Sequence, residues 1–276
     1  MGPYLSIDET SLSDDELYTI VTNKEAKGRK GSIVAIVRGT KAEDVIEVLL
    51  RIKKGLRHKV KEVTLDMAAN MSVIVSCCFG KASQVTDRFH VQKLACDALQ
   101  DMRIALRWQA IEQENKEMAL AKESDESYVA QVLANGDTHR QLLIRSRYLL
   151  FKNEDKWTPR QRQRSEILFY YYPSLEVAYK LTMQLKHIYH TTNDKKVALT
   201  RLARWDRAIE EACFEHFGTV MRSVQSHYKT ILNFFDRRAT NASAESFKAK
   251  IKAFRANLRG VNNIQYFLFR LKNIYA

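Results

Sequence analysis

Apolar residues alternate or cluster in short blocks up to about residue 90, and from there to the end they recur every three or four positions. The first stretch therefore predicts strands with interleaved helices, and the second predicts helices. Pro3 to Asp8, Leu17 to Val21 and Gly31 to Val37 read as three successive strands, an antiparallel meander. The loop between the second and third carries Lys24, Lys27, Arg29 and Lys30. Val45, Ile46, Leu49, Leu50 and Ile52 then give Ala42 to Lys54 a helical period. Val60 to Asp66 reads as a fourth strand, Asn70 to Phe79 as a helix and Ser83 to Asp87 as a fifth strand leading into Arg88-Phe89-His90-Val91. Three of these strands finish on a carboxylate: Asp8, Asp66 and Asp87.

Helical periods continue over Leu94 to Glu114, Ser174 to Tyr189 and Ala198 to Phe217. Thr158-Pro159-Arg160-Gln161 is a capping box with proline at the first helical position. Trp108, Trp157, Trp205 and the run Phe169-Tyr170-Tyr171-Tyr172 are expected in the core of this helical region. Arg140, Arg145, Arg147, Lys152, Lys156, Arg160, Arg162 and Arg164 form a basic tract that either follows a phosphate backbone or is a solvated surface. His187 and His190 lie one turn apart without an evident third ligand, which argues against a metal site there.

The last amphipathic helix is predicted over about 242–259, capped by Thr240, Asn241 or Ser243 and ended by Gly260. Phe247, Ile251, Phe254 and Leu258 make its core-facing stripe. On the opposite side Glu245 is the only acid in a row with Lys248, Lys252, Arg255 and Arg259. A carboxylate near a helix start, followed by cations at one-turn intervals, could hold a divalent metal while the cations grip phosphates. Ordinary ion pairs on a solvated face would give the same pattern. An aspartate after a strand is likewise a common turn or capping residue.

Composition tilts these alternatives. The chain of 276 residues carries 45 Lys and Arg against 32 Asp and Glu, a net charge of +13. Such an excess favours a polyanionic partner, nucleic acid above all. No apolar run reaches membrane-spanning length and the N-terminus lacks a basic and apolar leader, so a soluble cytoplasmic protein with no membrane partner is expected. Cys77, Cys78, Cys96 and Cys213 form no CxxC pair and are expected to be buried free thiols.

The order of three strands, helix, strand, helix and strand outlines an RNase H-like α/β domain, whose functional side chains gather at the carboxyl ends of strands. Ser-Ile-Asp8-Glu, Thr-Leu-Asp66-Met-Ala, Asp87-Arg-Phe-His90-Val and Arg237-Arg238-Ala-Thr240-Asn241-Ala-x-Ala-Glu245-x-Phe-x-x-Lys-Ile251-Lys252 resemble, in order, the motifs of DDE transposases of bacterial insertion sequences. The ISL3 family is the closest resemblance, including the trailing Arg259-Gly260-x-x-Asn263-x-x-x-Phe267. It covers nearly the whole chain and implies a mixed five-stranded sheet with flanking helices, interrupted by a large all-helical insertion. The expected divisions are 1–97 for the first part of the core, 98–228 for the insertion and 229–276 for the last part with the Glu245 helix.

The same resemblance implies Asp8, Asp66 and Glu245 as catalytic acids that hold two magnesium ions, with manganese as a substitute, roughly 3.5–4 Å apart. Asp87, His90 and Asn241 would order the site, although packing explains the first two equally well. Lys248, Lys252, Arg255, Arg259, Arg237 and Arg238 would bind DNA. The partners implied are double-stranded transposon ends and target DNA, in a homo-oligomer located in the bacterial cytoplasm with the nucleoid. Relatives carry a zinc and helix-turn-helix region before the core, whereas Asp8 is close to Met1, so the end-recognition parts are expected either to be encoded separately as a recognition protein or to have been lost. Two further departures in class remain: a DNA-binding remnant without catalysis, or a structure-selective nuclease of the RNase H type.

Overall fold

In the computed structural model, residues 1–13, 16–239, 241–257 and 263–276 are described. Thr240, Leu258, Arg259 and Gly260, which the sequence suggested as a cap, a core residue, a DNA contact and a helix stop, lie outside them. Five strands form one sheet: β1 (Tyr4–Ser13), β2 (Glu16–Asn23), β3 (Ile33–Arg38), β4 (Glu62–Leu65) and β5 (Ser83–Thr86), ordered β3-β2-β1-β4-β5. β1, β2 and β3 are an antiparallel meander, while β4 and β5 add in parallel beside β1, as two helical crossovers require. α1 (Ala42–Leu50) and the short α2 (Lys54–Arg57) lead to β4, and α3 (Ala69–Cys78) leads to β5. The fold is the RNase H-like α/β sheet that the order of elements predicts, and helices interrupt it after β5.

The α-helices after β5 are α4 (Arg88–Glu123), α5 (His139–Arg145), α6 (Pro159–Tyr171), α7 (Pro173–Thr191), α8 (Lys195–Ala212), α9 (Glu215–Leu232), α10 (Phe234–Arg237), α11 (Ala242–Asn257) and α12 (Ile264–Tyr275), of which α11 and α12 pack back on the sheet. The chain divides into two compact units. One comprises Met1–His90, Asn193–Lys195 and Ser226–Ala276, the other Val91–Thr192 and Lys196–Gln225.

In the first unit the period-two alternation of β1 sends its residues to two different cores. Leu5 and Ile7 pack with Val21, Val63 and Leu65 against Val45 and Leu49 of α1 and Ile74 and Val75 of α3. Leu12 instead joins Tyr18 and Ile20 of β2 against Phe247 and Ile251 of α11 and Phe267 and Leu271 of α12. Asp8 shares the parity of Leu12 and is set on that second face.

Within the helical unit, Trp205 is fully buried and donates Nε1–H to the Leu181 carbonyl at 2.8 Å, and Tyr179 donates to the Lys152 carbonyl at 2.8 Å. The Thr158 capping box is present, and Thr138 forms a second one with Gln141. Much of the basic tract is internally paired. Arg145 and Arg164 both bind the buried Asp137, and Arg162 donates to the Glu154 carbonyl at 3.1 Å.

Several local expectations change. β1 does not stop at Asp8 but runs to Ser13, because the hairpin with β2 keeps pairing past it, Asp8 opposite Ile20 and Ser11 opposite Leu17. The stretch 198–217 is two helices, parted at Cys213, whose φ of 52° is left-handed. Trp108, Tyr170 and Tyr171 are exposed instead of buried, and Arg107 lies over the Trp108 ring at 5.8 Å.

Of the four cysteines, Cys78 and Cys96 are buried as expected, whereas Cys77 and Cys213 are exposed. Burial pushes the Cys78 thiol up to about 11, and burial also raises Cys96. Since the thiolate is the reactive form, iodoacetamide should label Cys77 and Cys213 in the native protein and reach Cys78 and Cys96 only on unfolding. Equal labelling of all four, read by peptide mass spectrometry, would contradict this packing.

Candidate active site

The sheet face under α11 is where the acids collect. Ala244, Phe247 and Ile251 are buried and Phe254 is partly buried, so α11 lies on this face by the stripe its spacing predicts. Phe247 meets Tyr275 edge to face at 5.0 Å, and Phe254 stacks with Phe267 at 5.9 Å. The start of the helix is tied directly to β1. Ser6 donates its hydroxyl to Asn241 Oδ1 at 2.5 Å, and the Asn241 carbonyl accepts the Glu245 N–H at 2.9 Å. Asn241 is itself 3% exposed, so its amide serves as an internal clamp.

That clamp sets Glu245, in the first turn of α11, beside Asp8 in the middle of β1. Asp8 is 8% exposed and Glu245 is partly exposed. Asp8, Glu245 and His90, the last from the first turn of α4, each offer a donor atom within 4.8 Å of the other two. Two carboxylate oxygens are ligands for a hard divalent cation such as magnesium or manganese, while the imidazole nitrogen beside them is a ligand type more at home on zinc or iron, so the carboxylates carry the fit to magnesium.

β4 and β5 bring the other two acids alongside. Ser6 pairs with Thr64 at the end of the parallel ladder; Asp8 lies two residues on in β1 and Asp66 two residues on, just past the end of β4. Leu65 pairs with Thr86, which in turn sets Asp66 level with Asp87. Asp66 is nevertheless not part of the 4.8 Å group; its Oδ1 accepts the Ala68 N–H at 2.9 Å, at the start of α3.

Asp87 is 3% exposed. Its Oδ1 accepts the Phe89 N–H at 3.2 Å, while Oδ2 has no hydrogen-bond partner among the described residues. Burial raises its pKa; the Phe89 N–H and His90 oppose that, and the charges of Glu245 and Asp8 add to it.

The basic residues divide by surroundings. Lys248 turns into the acids: its Nζ donates to Asp8 Oδ2 and pairs with Glu245 Oε1 at 2.7 Å, and its side chain is only 14% exposed. Burial alone would lower the Lys248 pKa, but the bonds to the two carboxylates outweigh it and raise it. Lys252 is exposed, and Arg255 lies over the Phe267 ring at 5.2 Å. Arg237 stacks over Tyr4 at 4.4 Å and donates to its hydroxyl; Arg238, with a left-handed φ of 52°, donates to Asn193 Oδ1 at 2.7 Å.

Another side of α11 lines a cleft of about 860 Å³ together with Lys24, Lys27 and Arg237, into which Lys250, Ser243 and Ser246 also face. Lys24 there is bound to Glu62 at 2.8 Å and to Thr64 at 2.6 Å.

Sequence spacing put Lys248 in a row of outward cations. A helical repeat gives direction around the helix axis but not the identity of the strand beneath, so Asp8 as its partner was not visible. The only available signal was that Lys248 stands one turn after the single acid.

A family model described as transposase, that of the ISL3 group of DDE transposases, matches residues 5–271, nearly the whole chain. No curated protein and no solved structure matches the chain.

Proposed function

The chain belongs to the ISL3 family of DDE transposases, and on that premise we propose that it carries out metal-dependent strand cleavage and strand transfer at transposon ends through Asp8, Asp66 and Glu245. The support is the meeting of Asp8 from β1 and Glu245 from α11 with His90, three donors drawn from distant parts of the sequence. Bound magnesium or manganese supplies charge stabilisation to the scissile phosphate and lowers the pKa of the attacking water or 3′-hydroxyl.

In this reading Asp8 and Glu245 would hold a cation beside His90, and Asp66, next to them past the end of β4, would contribute to a second site. Asp87 takes a positioning role, since its buried carboxylate lies next to His90 in the turn that begins α4. Asn241 fixes where Glu245 starts.

DNA is the partner that goes with the family and with the net charge of +13. Lys252, Arg255, Arg237 and Arg238 would contact its phosphates, and the protein would act as a homo-oligomer on paired ends. If Lys252 and Arg255 do so, log K falls with log salt by about 0.9 per neutralised phosphate. Their double alanine variant should then flatten that slope by up to about two units, whatever the DNA sequence. An unchanged slope returns both to an ordinary surface.

The test of activity is a nicking and joining assay on supercoiled DNA carrying the element ends, with and without a separately supplied end-recognition protein. Products that require magnesium or manganese and disappear with chelator are expected. Cleavage confined to RNA–DNA hybrid would point to a nuclease instead, and salt-sensitive binding without cleavage to a DNA-binding remnant.

A further inference from the structure

Lys248 sits where a cation is expected. Its ammonium bridges Asp8 Oδ2 and Glu245 Oε1, two of the three groups whose donor atoms converge within 4.8 Å. The pairing with Glu245 alone is a common helical contact at i,i+3. The contact with Asp8 is different, because it reaches across to another element and lies in a setting where Lys248 is 14% and Asp8 11% exposed at the side chain. Two carboxylates this close repel, and although the Glu245 side chain is 44% exposed, the buried Asp8 has little water around it, which favours a counter-charge from the protein or from an ion.

We propose that Lys248 is a built-in counter-ion that holds the metal-free site together and is exchanged for the divalent cation on loading. This rests on the assignment of Asp8 and Glu245 as metal-holding acids. Asp8 is bonded through Oδ1 to the Glu9 N–H at 2.7 Å and through Oδ2 to Lys248, so its strand-side oxygen is fixed and its open side is the one the ammonium covers. A divalent ion taken between Asp8 and Glu245 must displace the ammonium, since two cations cannot share that gap. The unbranched side chain of Lys248 can swing outward on α11 to the side where Lys252 is exposed, and its charge is then free for a backbone phosphate of DNA. Metal loading and phosphate binding become coupled: metal frees the ammonium, and a phosphate that holds the ammonium outside favours metal.

The exchange is measured by titrating Mn²⁺ into the wild-type protein, Lys248→Met and Asp8→Asn by calorimetry. Lys248→Met keeps an unbranched side chain only one atom shorter and removes the competing charge. It should bind Mn²⁺ at least about ten-fold tighter than wild type, and its metal-free form should melt lower and recover on adding Mn²⁺. Should Lys248→Met fail to fold by circular dichroism, Lys248→Gln gives the same comparison.

A second readout needs no variant. The rate of reductive methylation of Lys248, followed by peptide mass spectrometry, should rise when Mg²⁺ is added. Mn²⁺ affinity that depends on Asp8 but is unchanged or weaker without Lys248, or a methylation rate indifferent to Mg²⁺, overturns the exchange while leaving the metal site standing. Absence of Mn²⁺ binding in both wild type and Lys248→Met overturns the exchange and the metal assignment together.

Discussion

Glu245→Gln and Asp66→Asn proteins are expected to lose DNA cleavage by about 10³-fold or more, with DNA binding retained or slightly tightened. Each substitution keeps the shape of the side chain and removes one negative charge that the cations of the reaction need, and losing that charge also lessens repulsion of the DNA backbone. Groups that act as one unit are not additive, so the double variant should be little worse than either single one. Asp66 is the sharper case because it lies just past the end of β4, the strand beside that of Asp8, but outside the 4.8 Å group of Asp8, His90 and Glu245. Asp87 stands level with Asp66 on the other side and has a buried oxygen without a hydrogen-bond partner among the described residues. A plasmid-nicking assay on Asp66→Asn and Asp87→Asn separates the two. Loss in the first with a much smaller change in the second supports Asp66 as the third acid, and the reverse result would move that role to Asp87. Robust cleavage by Glu245→Gln would return Glu245 to a helix-surface residue paired with Lys248.

Alternation and helical period were strong guides wherever one face of an element is buried and the other is not. The five strands, the helices between them and the stripe Phe247, Ile251, Phe254 were all legible, because burial itself imposes the period. Features set by a partner far away in sequence were not. Nothing local says that β1 continues to Ser13, since Thr10 and Ser11 have no apolar alternation of their own and are held by pairing with Tyr18 and Leu17 of β2. The division at Cys213 carries neither glycine nor proline and left no signal of a break. Lys248 and Lys252 differ in the same way. Their spacing from Glu245 put both on one face of a helical wheel, yet one is turned onto Asp8 and the other is exposed. The charge excess correctly singled out a polyanionic partner class, but Arg145 and Arg164 show that basic residues in a tract can be consumed by a single buried carboxylate, here Asp137.

The Phe247→Ala variant is expected to cost about 3–5 kcal/mol of stability, the usual range for removing a buried aromatic side chain. Phe247 is 2% exposed and belongs to the cluster with Leu12, Tyr18, Ile20, Ile251, Phe267 and Leu271, and its ring also meets Tyr275. It therefore fastens α11 to both the sheet and α12. The loss should reach further than stability, because the same helix carries Glu245 two residues earlier and Lys248 one residue later. With that anchor gone, α11 would keep Ala244, Ile251, the partly buried Phe254, the Asn241 clamp and the Lys248–Asp8 pair, and the carboxylate of Glu245 would be held less firmly opposite Asp8. A comparison makes this separable from simple unfolding. Trp205→Ala removes an equally buried ring from the core of the helical unit, and also leaves the Leu181 carbonyl without its indole donor, so it should destabilise by a similar amount. Denaturant unfolding checks both costs. At low denaturant, where both variants remain folded by circular dichroism, Mn²⁺ should raise the melting temperatures of wild type and of Trp205→Ala and should fail to raise that of Phe247→Ala. Equal metal protection of the two variants would mean that Glu245 does not depend on the packing of α11 for its place beside Asp8.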